Sequence, residues 1–297
     1  MKYCTVGWHS EMKQALLITA YKDAEQLEEL IRFFPSASFS IYVHVDRKSR
    51  MDLSQLERQG PVELLSRKYT VNWGGRNHLM AILHLMQEAL KDPANGYFHL
   101  ISGQDFPLKP VSFFQQELDT TKNYMQYISY PVSYLTNGAR DWFEQYHLND
   151  LLDGKRYRKW MLRFLNLQRK TGFKRVLPAF LPQFFYGSTY WSLNRQAVQH
   201  VMDYTNEHPA FINRMKFTFC SEELYISSVL MNSKLADTVV NDNLRYIDWE
   251  SYKSGSPRIL DASDFEKVIQ SGKLFARKFD AGVSANLRNK IRDQYKH

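Results

Sequence analysis

Two adjacent carboxylates, Glu222 and Glu223, are the side chains of this sequence best suited to accept a proton. They follow Ser221, a residue type that often caps a helix, and they precede apolar residues at helical spacing. The N-terminus of a helix favours an ionised carboxylate, and an ionised carboxylate can take a proton from a hydroxyl group. The same acids could instead only stabilise the helix dipole, and by themselves the residue types favour that second interpretation.

Polar residues also follow two strand-like segments. His44-Val45-Asp46 ends an aromatic and β-branched stretch, and Ser102-Gly103-Gln104-Asp105 follows the stretch 97–101. Strand and helix patterns alternate over the first part of the chain, which predicts βαβ units and a mainly parallel sheet with helices on both faces. Ligands of such sheets collect beyond the carboxyl ends of the strands, so we expect the ligand site at these two segments.

Composition favours one large globular domain. The 297 residues are 44% hydrophobic and 24% charged, which argues against a disordered or fibrous chain. The two cysteines predict no disulfide framework, and no run of about 18 apolar residues predicts a membrane span. The sequence also lacks a Walker phosphate loop, a GxGxxG dinucleotide motif, an HExxH zinc motif and a Ser-His-Asp nucleophile signature.

The net charge of +8 points to an anionic partner. Nine basic residues lie between positions 155 and 175, interleaved with apolar residues and without a single acid: Lys155, Arg156, Arg158, Lys159, Arg163, Arg169, Lys170, Lys174 and Arg175. Such a stretch is typical of a basic amphipathic helix on a membrane surface, or of a core-packed helix with a solvated basic face, and both interpretations stay open. The sequence has no recognised nucleic-acid-binding motif, so we expect no nucleic-acid partner.

Six segments resemble, in sequence and in order, the Core-2/I-branching β-1,6-N-acetylglucosaminyltransferase family, whose wider membership includes peptide O-xylosyltransferases. They are IYVHVDRKS (41–49), VNWGG (71–75), YFHLISGQDFPLKP (97–110), YGSTYWSLNR (186–195), CSEELY (220–225) and LFARKFD (274–280). The resemblance implies a GT-A type α/β fold, with a mainly parallel central sheet flanked by helices. It also implies a UDP-sugar donor and an inverting reaction that needs no metal and no other cofactor. In agreement, the chain has no Asp-x-Asp motif, with which many nucleotide-sugar transferases hold a metal.

The matching segments set the expected domain organisation. Residues 1–11 are interpreted as an N-terminal extension and residues 12–297 as a single catalytic domain. Within that domain, the resemblance implies a nucleotide-binding half at 12–115 and an acceptor-binding and catalytic half at 116–297.

In the family, the second carboxylate of an acidic pair is the general base, which implies this role for Glu223. The pair is Glu222-Glu223 here, where Asp-Glu is the commoner pattern, and Glu222 is expected on the acceptor side of the site. Two basic side chains bind the diphosphate in place of a metal. Lys278 matches the first by its position in LFARKFD. For the second we choose Arg258, with Lys253 as the alternative and a contribution from Arg277.

The resemblance also implies residues around the donor. Asp46 is expected to contact uridine, although a strand-end aspartate that only caps a turn is the alternative. Trp73 and Gly74 are expected to line the site, because a glycine lets the backbone approach a ligand closely, but a tight turn would also need it. Asp105 could hold a sugar hydroxyl or tie down its own loop.

Besides Glu222, three residues are expected around the acceptor. Trp249 lies in a segment similar to one that lines the acceptor site of the branching enzymes, and an aromatic face suits the CH surface of a sugar. Tyr252 follows with one extra residue of spacing, and Glu144 is a further choice for acceptor hydroxyls.

Together these expectations describe a compact, bacterial-type enzyme of polysaccharide biosynthesis that transfers GlcNAc from a UDP-sugar to a hydroxyl of a glycan or lipid-linked glycan. UDP-xylose or UDP-glucose as donor is the first alternative, and a non-catalytic glycan- or nucleotide-binding protein is the second. The short polar N-terminus and the missing membrane span predict a cytoplasmic protein. If residues 155–175 bind lipid, we expect it peripherally on the inner face of the membrane.

Overall fold

The computed structural model describes residues 12–133, 135–154, 156–176, 180–249 and 256–295. The strands are β1 (Lys13–Ala20), β2 (Phe39–Val45), β3 (Leu64–Ser66), β4 (Asn95–Ser102), β5 (Phe106–Pro107), β6 (Asn123–Ser129), β7 (Phe185–Asn194), β8 (Val239–Val240), β9 (Arg245–Ile247) and β10 (Phe275–Arg277). The helices are α1 (Ala24–Arg32), α2 (Ser54–Gln59), α3 (Arg76–Leu90), α4 (Val111–Gln116), α5 (Arg140–Glu144), α6 (Arg158–Thr171), α7 (Arg195–Glu207), α8 (Pro209–Arg214), α9 (Glu222–Met231), α10 (Phe265–Gln270) and α11 (Ala285–Gln294).

Seven strands form the central sheet in the order β3-β2-β1-β4-β7-β6-β8. The pairs from β3 to β4 are parallel, as is β6 with β8, whereas β7 runs antiparallel to both of its neighbours. The predicted α/β class with a mainly parallel sheet is therefore confirmed. The antiparallel β7 brings the YGSTYWSLNR segment back alongside the ends of the parallel strands.

The sheet is buried on both faces, and β1 shows how its sequence achieves this. Ala15 and Leu17 belong to a core shared with α3, α7 and α9, while Leu16 and Ile18 belong to a second core shared with α1 and α4. Side chains alternate between the faces of a strand, so a continuous apolar run is what a doubly covered strand requires.

A second, three-stranded sheet has the order β5-β10-β9, with α10 and α11 packed on it around a small core of its own. It joins the central sheet at the segment after β4, where the Phe279 amide donates to the Gln104 carbonyl at 2.9 Å. This contact places the LFARKFD segment beside the carboxyl end of β4.

Two local expectations can be compared with the structure. Ser221 does precede α9, but its side chain makes no capping hydrogen bond, because its own backbone is already helical at φ −61° and ψ −26°. In the part of the chain that the structure describes, no helix is both long enough and apolar enough to cross a membrane.

Candidate active site

The pair Glu222-Glu223 lies at the first turn of α9, and α9 is fixed against β7. The hydroxyl of Ser227 donates to the Phe185 carbonyl at 2.7 Å, and the hydroxyl of Ser228 donates to the same carbonyl at 3.1 Å. Cys220, directly before the helix, has a φ of 47°, so the chain turns sharply into α9. The packing of α9 on β7 therefore sets the direction of both carboxylates.

Glu223 is partly buried and accepts hydrogen bonds from two neutral side chains of β7. The hydroxyl of Tyr186 donates to Oε2 at 2.6 Å, and that of Thr189 lies 3.4 Å from Oε1. Burial, together with the neighbouring charge of Glu222, raises the pKa of Glu223 to about 8, and the bond from Tyr186 opposes this rise. A carboxylate with a raised pKa holds a proton more strongly, as a general base for a sugar hydroxyl should.

Glu222 faces the other way, towards α3. Its Oε1 lies 3.0 Å from Nδ1 of His78, and Nε2 of His78 lies 3.5 Å from the hydroxyl of Thr19 at the end of β1. Oε2 of Glu222 is buried and has no hydrogen-bond partner among the described residues. Glu222 thus connects α9 to the strand ends of the first half of the chain.

The Trp73-Gly74-Gly75 loop packs directly onto the segment before α9. Gly74 has a φ of 73°, and a Cβ at this position would lie 2.3 Å from the ring of Phe219. Its carbonyl accepts from the Cys220 amide at 3.0 Å, and Trp73 meets Phe219 edge-on while remaining 69% exposed. Gly74 is therefore required by a close internal contact, and the exposed indole of Trp73 is the part of the loop that can reach a ligand.

Asp46, expected to contact uridine, holds the turn after β2. Its Oδ1 accepts from the amides of Lys48 at 3.2 Å and Val71 at 3.0 Å, and the Lys48 ammonium lies 3.7 Å from Oδ2. The Asp46 amide donates to the Ala20 carbonyl at the end of β1. These bonds tie the ends of β1 and β2 to the segment leading to Trp73, at the edge where a ligand was expected.

Asp105 and Arg277 contact each other rather than solvent. Asp105 is fully buried, accepts from the Ser102 amide at 2.5 Å, and has Oδ1 3.6 Å from Nε of Arg277. The Arg277 guanidinium lies over the ring of Tyr190, 4.2 Å from its centroid. Burial raises the pKa of Asp105, and the charge of Arg277 opposes that rise. The pair connects the loop after β4 to the end of β10.

The two residues chosen for the diphosphate lie next to each other but in different surroundings. The Lys278 amide donates to the Arg258 carbonyl at 3.4 Å. The Arg258 guanidinium binds two carboxylates, Asp248 at 2.7 Å and the buried Asp264. These bonds, that to Asp264 first, raise the pKa of Arg258. The Lys278 ammonium lies 3.3 Å from the Ser256 hydroxyl.

A family profile described as "Core-2/I-Branching enzyme" matches residues 15–269 of this chain. The chain belongs to the Core-2/I-branching enzyme family. The match and the sheet topology together confirm the resemblance and the GT-A type α/β fold that it implied.

Named relatives of this family member cover most of its length at low identity. Rat (Rattus norvegicus) xylosyltransferase 1 is 25% identical over 312 residues, which is 94% of this chain but 35% of the relative. β-Glucuronosyltransferase GlcAT14B of Arabidopsis thaliana is 24% identical over 272 residues, covering 86% of this chain and 60% of the relative. The chain thus spans about a third of the rat protein and less than two thirds of the plant protein.

Solved structures give only distant similarity. A glycosyltransferase involved in glycosylation of the major capsid of PBCV-1 aligns with a TM-score of 0.39 at 11% identity, covering 94% of this chain and 99% of the other. At that TM-score the alignment does not support an argument about the site.

The residues expected at the acceptor side of this Core-2/I-branching family member are not all brought together. Trp249 is 48% exposed and follows Asp248, the partner of Arg258. Glu144 lies 3.5 Å from both the Tyr130 hydroxyl and the Lys174 ammonium, on the side of α5 towards α6. From the same helix it is Trp142 that contacts Tyr186, the hydrogen-bond partner of Glu223, with the two ring centroids 5.5 Å apart. Tyr252 and Lys253 lie outside the described residues.

Among the described residues, one group has atoms close enough together to ligate a metal ion: Cys220, Glu222 and Glu223, within 4.8 Å of one another. Burial, reinforced by the two carboxylates, raises the pKa of the Cys220 thiol well above its ordinary value. Both Glu223 oxygens already face hydroxyl donors.

Two residues of the site, Tyr186 and His78, were not identified from the sequence. Tyr186 stands first in the YGSTYWSLNR segment, where its position suggested only a strand. His78 lies one turn inside α3, just after the Trp73-Gly74-Gly75 loop. The sequence offered no sign that α3 and α9 are neighbours, which is what brings His78 to Glu222.

Proposed function

We propose that this protein is an inverting glycosyltransferase that transfers a sugar from a UDP-sugar to a glycan hydroxyl, with Glu223 as the general base. The observation that supports this most is the position of Glu223: a carboxylate with a raised pKa, held by Tyr186 at the end of the parallel strands. The acceptor oxygen forms a bond to C1 of the donor sugar while the bond from C1 to UDP breaks on the opposite face. Glu223 takes the proton of the acceptor hydroxyl.

Cationic side chains stabilise the departing diphosphate in this mechanism, in place of a metal. Lys278 lies one residue beyond β10 with its ammonium 3.3 Å from the Ser256 hydroxyl, and it has the position of a diphosphate-binding cation in the LFARKFD segment. Arg258 is bound to Asp248 and Asp264, so the arginine would have to share its charge with them. Because Lys278 matches the motif by position and Arg258 is held by two carboxylates, we assign the larger part of leaving-group stabilisation to Lys278.

The donor sugar is the part of the proposal on which the relatives bear. GlcNAc is the sugar implied by the branching enzymes of the family. The curated relatives named above are a xylosyltransferase and a glucuronosyltransferase, which favours UDP-xylose as the second donor to test and UDP-glucuronic acid as a third. A glycan is the acceptor class in this proposal, free or linked to lipid.

The experiment is UDP release from a panel of UDP-sugars in EDTA, with and without mixed glycan acceptors. We expect acceptor-dependent release with one donor, and a fall of about 1,000-fold in the Glu223→Gln variant. The matched control is Glu266→Gln, which removes an exposed carboxylate on α10, far along the chain from α9, and should leave release unchanged.

Three outcomes would contradict parts of this mechanism. Activity that EDTA abolishes and Mn²⁺ restores would overturn metal independence. A product whose anomeric configuration, read by proton NMR, matches the donor would overturn inversion. UDP binding without turnover of any donor across the acceptor panel would favour a non-catalytic binding protein.

A further inference from the structure

The helix α6 and the residues that follow it expose large apolar side chains. Trp160 is 65% exposed, Leu167 57% and Phe173 56%. Within α6 itself, Gln168 is the one residue recorded as buried. Trp160 and Leu167 are seven positions apart and so share one face of the helix. The expectation of a helix packed into the core with only its basic side in solvent does not fit this exposure.

The same surface is strongly basic, and most of its cations form no ion pair with a described carboxylate. Arg169 pairs with Asp141 at 2.8 Å and Lys174 with Glu144 at 3.5 Å. In the part of the chain that the structure describes, no carboxylate forms an ion pair with the other cations of the helix, which are Arg158, Lys159, Arg163 and Lys170. We call these four cations, with Trp160, Leu167 and Phe173, the α6 surface.

Basic and apolar groups are neighbours within the α6 surface. The guanidinium of Arg163 lies 5.2 Å from the ring centroid of Trp160. Arg163 and Lys170 are seven positions apart, which places them in one row beside the row of Trp160 and Leu167. A flexible cation beside an exposed indole is the combination that suits the headgroup region of a bilayer, where charge meets phosphate and the ring enters the acyl boundary.

The α6 surface is held firmly to the body of the protein. The Gln168 side chain exchanges two hydrogen bonds with the backbone of Tyr146, at 2.8 and 3.0 Å. Arg175 is buried and donates to the carbonyls of Arg214 and Lys216. A partner that binds this surface would therefore orient the whole domain rather than one loose segment.

Helix α5 connects α6 to the surroundings of the proposed base. Asp141 pairs with Arg169 of α6, and the next residue, Trp142, contacts Tyr186, the hydrogen-bond partner of Glu223. Adjacent residues of one short helix thus join the exposed basic surface to the proposed base.

We propose that the α6 surface docks on an anionic lipid bilayer. Its four cations complement the phosphates of acidic lipids, and its indole, phenyl and leucine side chains gain free energy by leaving water for the acyl boundary. The phosphates of a nucleic acid would also neutralise the cations, but they would offer no apolar group for Leu167 to contact. The proposal stands independently of the transferase activity.

The test is flotation of the full chain with phosphatidylcholine vesicles that contain about 30% phosphatidylserine, compared with phosphatidylcholine alone. We expect co-flotation only with the anionic vesicles, weakening as salt is raised. The triple variant Lys159→Glu/Arg163→Glu/Lys170→Glu should bind at least about 100-fold more weakly. The double variant Trp160→Ser/Leu167→Ser should lose about tenfold or more at unchanged charge.

The control matches the change in charge at other places. Lys122→Glu/Lys234→Glu/Lys267→Glu alters the net charge by the same amount through exposed lysines outside α6 and should float like the wild type. Absence of flotation of the wild-type protein overturns the proposal, and so does equal loss in the control triple variant. If duplex DNA, added at the same phosphate concentration as the lipid, displaces the protein completely from the vesicles, that result would also overturn the proposal, in favour of a nucleic-acid partner. Wild-type flotation tests the idea without any variant, and circular dichroism checks that each variant is folded.

Discussion

The two sides of the proposed site hold their charged groups in opposite ways. On the base side, Glu223 has neutral hydrogen-bond donors and a second carboxylate beside it, and no cation among the described residues forms an ion pair with it. On the leaving-group side, Arg258 has two carboxylate partners. Burial and the like charge of Glu222 raise the proton affinity of the Glu223 carboxylate. The two ion pairs, in contrast, lower the affinity of Arg258 for a further anion.

This difference separates residues that take part in the proposed reaction from residues that only hold the site in place. A group that takes part in the reaction needs an interaction that becomes stronger in the transition state, and a fully paired group has little left to gain. By that criterion Arg258 fastens the segment after Asp248 to the turn before α10. The proposed roles on the substrate stay with Glu223 and with Lys278, which matches the family's motif by its position in LFARKFD.

The largest expected effects come from substitution of Lys278 and Arg258, which should change different quantities. We expect Lys278→Met to lower kcat for UDP release about 100-fold, because a fixed charge beside the leaving diphosphate is lost. Arg258→Met should mainly lower stability, because it leaves the buried Asp264 without its partner. Steady-state kinetics and the melting temperature, measured on both variants, separate the two effects. A larger kcat loss in Arg258→Met at an unchanged Tm would reverse our assignment.

Much of this comparison could not be predicted from the sequence. The alternating patterns predicted the sheet, and the resemblance predicted which segments meet at its edge. Asp248 and Asp264 lie 16 positions apart along the chain, and no local pattern indicates that Arg258 binds both. Likewise, Tyr186 reaches Glu223 only because β7 runs antiparallel to β4 and α9 packs on it. Residue types predict possible chemistry, whereas pairing across 37 positions is decided by tertiary packing.

Removal of the Tyr186 hydroxyl tests how the surroundings of Glu223 set its pKa. Its hydrogen bond stabilises the ionised form of Glu223, so Tyr186→Phe should raise the pKa of Glu223 further above about 8. We expect the rising limb of the pH profile of kcat/KM to move to higher pH, with about a tenfold loss at neutral pH. The control is Tyr204→Phe, which removes a hydroxyl that donates to the Phe180 carbonyl away from the pair. An unshifted pH profile in Tyr186→Phe would mean that the tyrosine serves packing alone.

The smallest expected effect concerns folding stability and pH. The pKa of Glu223 in the folded protein is about 8, above the ordinary 4.5, so the folded chain keeps a proton that the unfolded chain loses within this window. Stability contributed by this group is therefore lost as pH rises from 4.5 to 8. Glu223→Gln lacks the titrating carboxyl, so its Tm relative to wild type should rise across the same window, by about 2–4 °C for each kcal/mol.

Calorimetry of the two proteins in matched buffers measures this difference, and the subtraction removes the contribution of buried histidines such as His44 and His99, which titrate in both. Glu266→Gln, at an exposed position, should show no such trend. A Tm difference between Glu223→Gln and wild type that stays constant with pH would mean that Glu223 is already ionised near neutrality. In that case burial beside Glu222 would not increase the proton affinity of Glu223. Its reactivity would then depend on its orientation by Tyr186 rather than on a raised pKa.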